Sequence, residues 1–144
     1  MKIQIINKST HQVPKYQTEY AAAMDVHAFL PDGPAVLEPL QRAAISTGLF
    51  MAIPEGYELQ VRSRSGLSLK HGIVCINSPG TIDADYRGEL KILVANISNE
   101  HYEIHDGDRI AQLVVAKCER VEWQEAEELG ETERGEGGFG HTGR

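Results

Sequence analysis

The sequence predicts an all-β chain, a sandwich, jelly roll or barrel of short strands with at most one short helix. Three observations carry that reading. Apolar and polar residues alternate with period two, most clearly where Tyr57, Leu59 and Val61 interleave with Glu58, Gln60 and Arg62. Such runs recur at spacings of about eight to twelve residues, punctuated by Gly and Pro. No segment before residue 120 carries the apolar stripe of a long helix.

Taken in order, Lys2 to Ile6 alternates as a strand with Ile3 and Ile5 on one face, and a polar loop with Pro14 follows. In AAAMDVHAFL, Val26, Ala28 and Leu30 are placed to face a core, with Asp25 and His27 facing out. Pro31-Asp32-Gly33-Pro34 breaks the chain, and the β-branched stretch from Val36 to Ile53 reads as two strands or one bent strand. Pro54-Glu55-Gly56 is a turn, because Pro fixes φ and Gly permits positive φ. After the Tyr57 strand the period fails, and Arg64 to Leu69 forms either one helical turn or a tight loop. Two β-type runs, Gly72 to Asn77 and Glu89 to Asn96, follow as a hairpin. Turns at Ser98 to Glu100 and at Asp106-Gly107 bracket a short strand around Tyr102 to Ile104, and RIAQLVVAKCERV is a last strand. VEWQEAEEL has good helix formers but no clean apolar face, so its state stays open.

A chain of 144 residues, 41% hydrophobic and 24% charged, fits one soluble domain with a real core. No apolar run is long enough to span a bilayer, and MKIQIINKST lacks the apolar core of a secretory signal, so no membrane is expected. Cys75 and Cys118 sit in apolar runs without metal-ligand spacing and read as free, partly buried thiols in a reducing cytoplasm. Six of the seven net negative charges fall between Glu119 and Glu136, leaving the rest of the chain near neutral. That distribution argues against a nucleic-acid-binding surface, which needs clustered Lys and Arg. His101 and His105 share an exposed strand face and are not expected to bind metal.

The hairpin connection is where the chemistry gathers. Reversing the chain takes only about two to five turn residues, yet Asp83, Asp85, Tyr86 and Arg87 all lie between the two runs. A carboxylate there is either a general base for water or a solvated loop charge. Asn77 offers a donor and an acceptor suited to a pyrimidine edge, and it is also an ordinary turn residue. Arg64-Ser65-Gly66 combines a guanidinium, a hydroxyl and an unobstructed N–H, which phosphate oxygens want and which a polar turn also uses. Gln112, inside an apolar strand, either hydrogen-bonds in the core or points into a site. Five glycines from Arg134 to Arg144 leave a segment with no core of its own, either mobile or wrapped on an anion.

Together these stretches resemble the trimeric dUTP diphosphatases, the dUTPases. Five motifs carry the resemblance in order: AAMDVHA (Ala22 to Ala28), RSG (Arg64 to Gly66), GTIDADYRGE (Gly80 to Glu89), GDRIAQL (Gly107 to Leu113) and RGEGGFGHTG (Arg134 to Gly143). The resemblance implies a distorted jelly-roll β-barrel catalytic domain over residues 1–121, then a linker and a flexible Gly-rich phosphate-binding arm over residues 122–144. It implies a cytoplasmic enzyme that hydrolyses dUTP to dUMP and pyrophosphate, keeping uracil out of DNA and supplying dUMP for thymidylate synthesis. Asp83 would activate the water that attacks the α-phosphorus. Tyr86 would pack under the deoxyribose and exclude a 2′-hydroxyl. Asn77 and the main chain around Gly80, Thr81 and Ile82 would read uracil, with Lys91 closing the pocket and the tight hairpin excluding a 5-methyl.

Arg64, Ser65, Gly66 and Gln112 map onto phosphate-contacting positions by the same resemblance, and Asp25 onto a residue that supports Mg²⁺ through water. Arg134, Phe139, Gly140 and His141 would clamp the γ-phosphate and cover the base. The family is a homotrimer with shared active sites, and residues 122–144, extended at roughly 3.3 Å each, reach on the order of 70 Å. Four positions depart from the family pattern: His141 for Ser, Ser63 for Pro, Ala23 for Gly and Val26 for Leu. None removes a charge or an activating group. A dCTP deaminase of the same fold is the nearest alternative, opposed by Tyr86 within IDADYRG and by the complete tail. A non-catalytic nucleotide-binding module is the other, opposed by Asp83.

Overall fold

The computed structural model describes residues 1–140. Eleven strands and one helix are present among them: β1 (Gln4–Asn7), β2 (Met24–His27), β3 (Ala35–Leu37), β4 (Arg42–Ser46), β5 (Leu49–Ala52), β6 (Tyr57–Arg62), α1 (Ser65–His71), β7 (Ile73–Cys75), β8 (Gly80–Ile82), β9 (Lys91–Asn96), β10 (Tyr102–Ile104) and β11 (Arg109–Lys117). The strands form sheets β2-β11-β6-β8, β4-β9-β7, β1-β5 and β10-β3, with every pairing antiparallel. The expected all-β class with one short helix holds.

The core is built from alternate residues of these strands. Val26, Ile45, Leu59, Ile73, Ile92, Val94, Ile104 and Leu113 are all essentially sealed from solvent. Each such side chain contributes about 1.5–3 kcal/mol relative to exposure. Buried Asn96 ties two sheets to a turn: its Nδ2 donates to the carbonyls of Leu37 (2.9 Å) and Glu100 (2.7 Å), and its Oδ1 accepts from the Ser98 N–H and hydroxyl. Ile3 and Ile5 share a face as expected, lining an apolar groove with Tyr16, Met51 and Leu113.

Three readings change. The Val36 to Ile53 stretch contains three strands, because a turn from Glu38 to Gln41, with Leu40 at φ 65°, and a second corner at Thr47-Gly48 cut it twice. Cys118 is exposed, lying just past the end of β11, while Cys75 is buried; both are free thiols. Asp25 points into the protein and is only 6% exposed, for a reason given below. The open VEWQEAEEL run takes neither helix nor strand, and Trp123 within it is 91% exposed. Among the described residues, none after Lys117 belongs to a strand or helix, and no helix is long and apolar enough to cross a membrane.

The hairpin is more than a strand pair with a loop. Its arms β7 and β9 do pair, Cys75 opposite Val94 and Ile73 opposite Asn96. Between them the chain leaves that sheet, and β8 pairs with β6 in the four-stranded sheet, Val61 opposite Gly80. Glycine leaves room there for the Asn77 amide. A Cβ on Gly80 would lie 2.9 Å from Asn77 Nδ2 and 3.2 Å from the Val61 Cβ, so a side chain would push Asn77 away.

Candidate active site

The hairpin brings six of the expected residues around one cavity. Asn77, Thr81, Ile82, Asp83, Tyr86 and Lys91, with Glu89 and Leu93, line a space of about 230 Å³. A turn after β8 sets their order: the Tyr86 N–H donates to the Asp83 carbonyl at 3.2 Å, and the Arg87 guanidinium bonds the carbonyls of Ala84 (2.7 Å) and Tyr86 (2.8 Å). Tyr86 is anchored at its tip, its hydroxyl donating to the Glu89 carbonyl at 3.0 Å. A Cβ on Gly88 would fall on the Tyr86 hydroxyl and lie 2.5 Å from Cζ, so this ring position needs glycine beneath it. Lys91 Nζ stands 3.8 Å from a Glu89 carboxylate oxygen. No side chain among the described residues hydrogen-bonds or ion-pairs the Asp83 carboxylate, which leaves it free to act on water. Gly80 lies beneath this cavity rather than in its lining.

A second cluster joins β2, β11 and the start of α1. Asp25 Oδ1 accepts from Arg64 Nε at 3.1 Å and from Gln112 Nε2 at 3.4 Å, while Oδ2 accepts from an Arg109 guanidinium nitrogen at 3.1 Å. Another Arg64 nitrogen donates to the Arg109 carbonyl at 2.8 Å. This explains how a carboxylate assigned to the outward face is buried: two guanidiniums and an amide replace its water. Arg64, Arg109, Asp108 and Tyr102 line a cavity of about 200 Å³. Ser65 and Gly66 open α1, exposed beside this cluster. Ser63, where the related pattern has Pro, uses its hydroxyl to accept the Cys75 N–H at 2.8 Å and so ties the approach to α1 to β7.

Arg109 lies within the GDRIAQL motif, yet its sequence position alone does not mark it as a partner of Asp25. No spacing rule announces it. The two clusters line separate cavities and share no lining residue. The tail stands apart from both: Arg134 Nε donates to the Gly137 carbonyl at 2.7 Å, Phe139 is fully exposed at φ 49°, and Gly140 turns at φ 90°. His141 lies outside the described residues.

Whether these residues fit a Mg²⁺ is decided by donor count. Among the described residues no three His, Cys, Asp or Glu come together to hold a metal. Asp25 alone has roughly four lone-pair positions, of which three are taken by the donors above. One contact to a water of a hydrated cation fits; direct ligation by a protein cage does not.

His27 neighbours Asp25 on β2, and its Nδ1 is buried without a partner among the described residues. Burial pushes its pKa below the ordinary 6.5, helped by the charges of His11 and Arg109 and opposed by that of Asp25. Above 6.5 the ring is neutral whether the chain is folded or not. As pH falls below 6.5 the unfolded chain takes up this proton first, so stability declines until the lowered folded-state value is passed. Urea midpoints at about pH 7.5 and about pH 5.5 should therefore differ more for the native chain than for His27→Gln; equal differences would remove His27 as the cause.

Known proteins are similar to this chain over nearly its whole length. The dUTPase family model matches residues 9–143. The deoxyuridine 5'-triphosphate nucleotidohydrolase of Finegoldia magna is 55% identical over 143 residues, 99% of each chain. That of Fusobacterium nucleatum is 53% identical, covering 100% of this chain and 98% of its own. Among solved structures, the Staphylococcus bacteriophage 80alpha dUTPase with dUPNHPP superposes with TM-score 0.89 at 31% identity, covering 99% of both chains. A mutant dUTPase from phage phi11 of S. aureus, described with a structural Mg(II) ion, gives TM-score 0.81 at 28% identity, over 91% of this chain and 100% of its own. With the matched region spanning all five motifs, the chain belongs to the dUTPase family.

Proposed function

We propose that this protein hydrolyses dUTP to dUMP and pyrophosphate, which keeps uracil out of DNA and supplies dUMP for thymidylate synthesis. The observation that carries the reading is the single cavity on which Asn77, Thr81, Ile82, Asp83, Tyr86 and Lys91 converge. Uracil sits against Asn77 and the β8 main chain, and the bare Gly80 backbone lets the Asn77 amide lie close to β8. Deoxyribose lies on the Tyr86 ring, whose fixed orientation leaves no room for a 2′-hydroxyl. Lys91 closes the pocket from β9.

Asp83 takes a proton from water as the water oxygen bonds to the α-phosphorus; the bond from that phosphorus to the bridging oxygen breaks, and pyrophosphate leaves. Arg64, Ser65, Gly66 and Gln112 hold the phosphate chain. Mg²⁺, when bound with the nucleotide, neutralises phosphate charge, and Asp25 would meet it through water. Arg134, Phe139, Gly140 and His141 belong to an arm, residues 122–144, that closes over nucleotide bound to the domain of residues 1–121. The separation of the two clusters and of the arm within one chain supports a homotrimer whose subunits share each site. A cytoplasmic location follows from that substrate and from the free thiols.

Pyrophosphate release from dUTP, dCTP, dTTP and UTP with Mg²⁺ tests the proposal. Turnover of dUTP alone is expected. Ammonia from dCTP without pyrophosphate would assign a deaminase instead.

A further inference from the structure

We propose that Arg109 is a positioning residue for the phosphate grip, acting on Arg64 through the Asp25 carboxylate that the two guanidiniums share; this rests on the reading of the chain as a dUTP hydrolase. A break in strand register makes the sharing possible. On β2, Asp25 and His27 are two residues apart and face the same way. Their partners on β11 are Gln112 and Arg109, which are three apart and in an unbroken strand would point to opposite faces. A register shift between Arg109 and Ala111 absorbs the extra residue and turns Arg109 to the same side as Gln112. Bulges of this kind re-aim side chains beside functional sites.

The bonds that result are specific. Asp25, 6% exposed, accepts at Oδ1 from Arg64 Nε and at Oδ2 from Arg109, each at 3.1 Å. Arg64 is then fixed a second time, by the Arg109 carbonyl at 2.8 Å. With Nε and one terminal nitrogen fastened, Arg64 keeps its remaining N–H donors for the 200 Å³ cavity that both arginines line. Two cations face one buried anion in this cluster, and Asp108 at the cavity wall balances the remaining positive charge, so the grip on a phosphate rests on aimed N–H donors rather than on net charge. Asp108 also lines the cavity, with one oxygen committed to the His105 N–H at 2.8 Å. Without Arg109, Asp25 Oδ2 loses its donor, and the carboxylate turns to take two Arg64 donors with its two oxygens, drawing the guanidinium from the phosphate.

The test measures binding of α,β-imido-dUTP with Mg²⁺, and of dUMP, to the full-length native chain, Arg109→Met, Arg109→Lys, Arg64→Lys and the Arg64→Lys/Arg109→Met double variant. Arg109→Met should bind the triphosphate analogue about 10- to 100-fold more weakly, the range of one charged hydrogen bond. Its dUMP affinity should stay within about twofold, because the base and sugar pocket is elsewhere. Arg109→Lys, which keeps the charge but not the fork, should fall between the native chain and Arg109→Met. The double variant should be little worse than Arg64→Lys, since the group being positioned has already changed. Unchanged analogue binding in Arg109→Met overturns the proposal. So does equal loss of both ligands with a lowered thermal midpoint, which marks a structural role only. Fully multiplicative losses in the double variant would mean that Arg109 does not act through Arg64. A native chain that binds neither nucleotide would instead overturn the dUTP reading itself.

Discussion

Asp83→Asn is expected to lower dUTP turnover by roughly 10²–10⁴-fold, the usual worth of a general base. The amide keeps the size of the carboxylate and loses its capacity to take a proton. No protein group among the described residues hydrogen-bonds the exposed Asp83 side chain, so the change leaves no donor without its acceptor. The surrounding turn rests on main-chain and Arg87 bonds, which the substitution does not touch. Binding of α,β-imido-dUTP should therefore persist while single-turnover rates collapse. A variant that keeps a near-native rate would remove Asp83 from the general-base role.

Truncation after Glu133 should have a comparable effect on catalysis and almost none on folding. The deletion removes Arg134, Phe139, Gly140 and His141 together. Losing even one charge-assisted grip on the γ-phosphate costs about 1.5–3 kcal/mol, and loss of cover over the base lets water compete inside the site. In contrast, residues 134–140 supply nothing to the buried core, and Phe139 is exposed. Thermal unfolding of the truncated chain should keep its midpoint while turnover falls by two orders of magnitude or so, roughly the sum of these effects. A truncated chain that unfolds would show that the arm is part of the folded body.

Much of the fold is written locally. The β6 alternation, the turn at Pro54 to Gly56 and the failure of period at Arg64 are each visible within a few residues, and each appears where expected. What the sequence hides are the partnerships made at a distance. Asp25 looks like an outward residue because alternation specifies only two faces, and its neutralising partners lie 39 and 84 positions away. Arg109 and Gln112 look opposed because a bulge cannot be read from Ile110, an ordinary buried residue. β8 is too short, at three residues, for periodicity to show that it leaves one sheet for another. The cavity proposed to hold the base, by contrast, is lined wholly by one continuous stretch, residues 77–93, so its members lie close together in the sequence.

That same loop gives the nucleotide a mechanical role. Thr81 and Ile82 belong to the β6–β8 ladder, and Lys91 and Leu93 to the β4–β9–β7 ladder, yet they face one cavity. A ligand lodged there bridges two sheets that are otherwise joined at this edge by the chain and by side-chain packing. On the proposed reading, part of the nucleotide's binding free energy would become cohesion between the two sheets, so bound dUMP should raise the thermal midpoint of the chain.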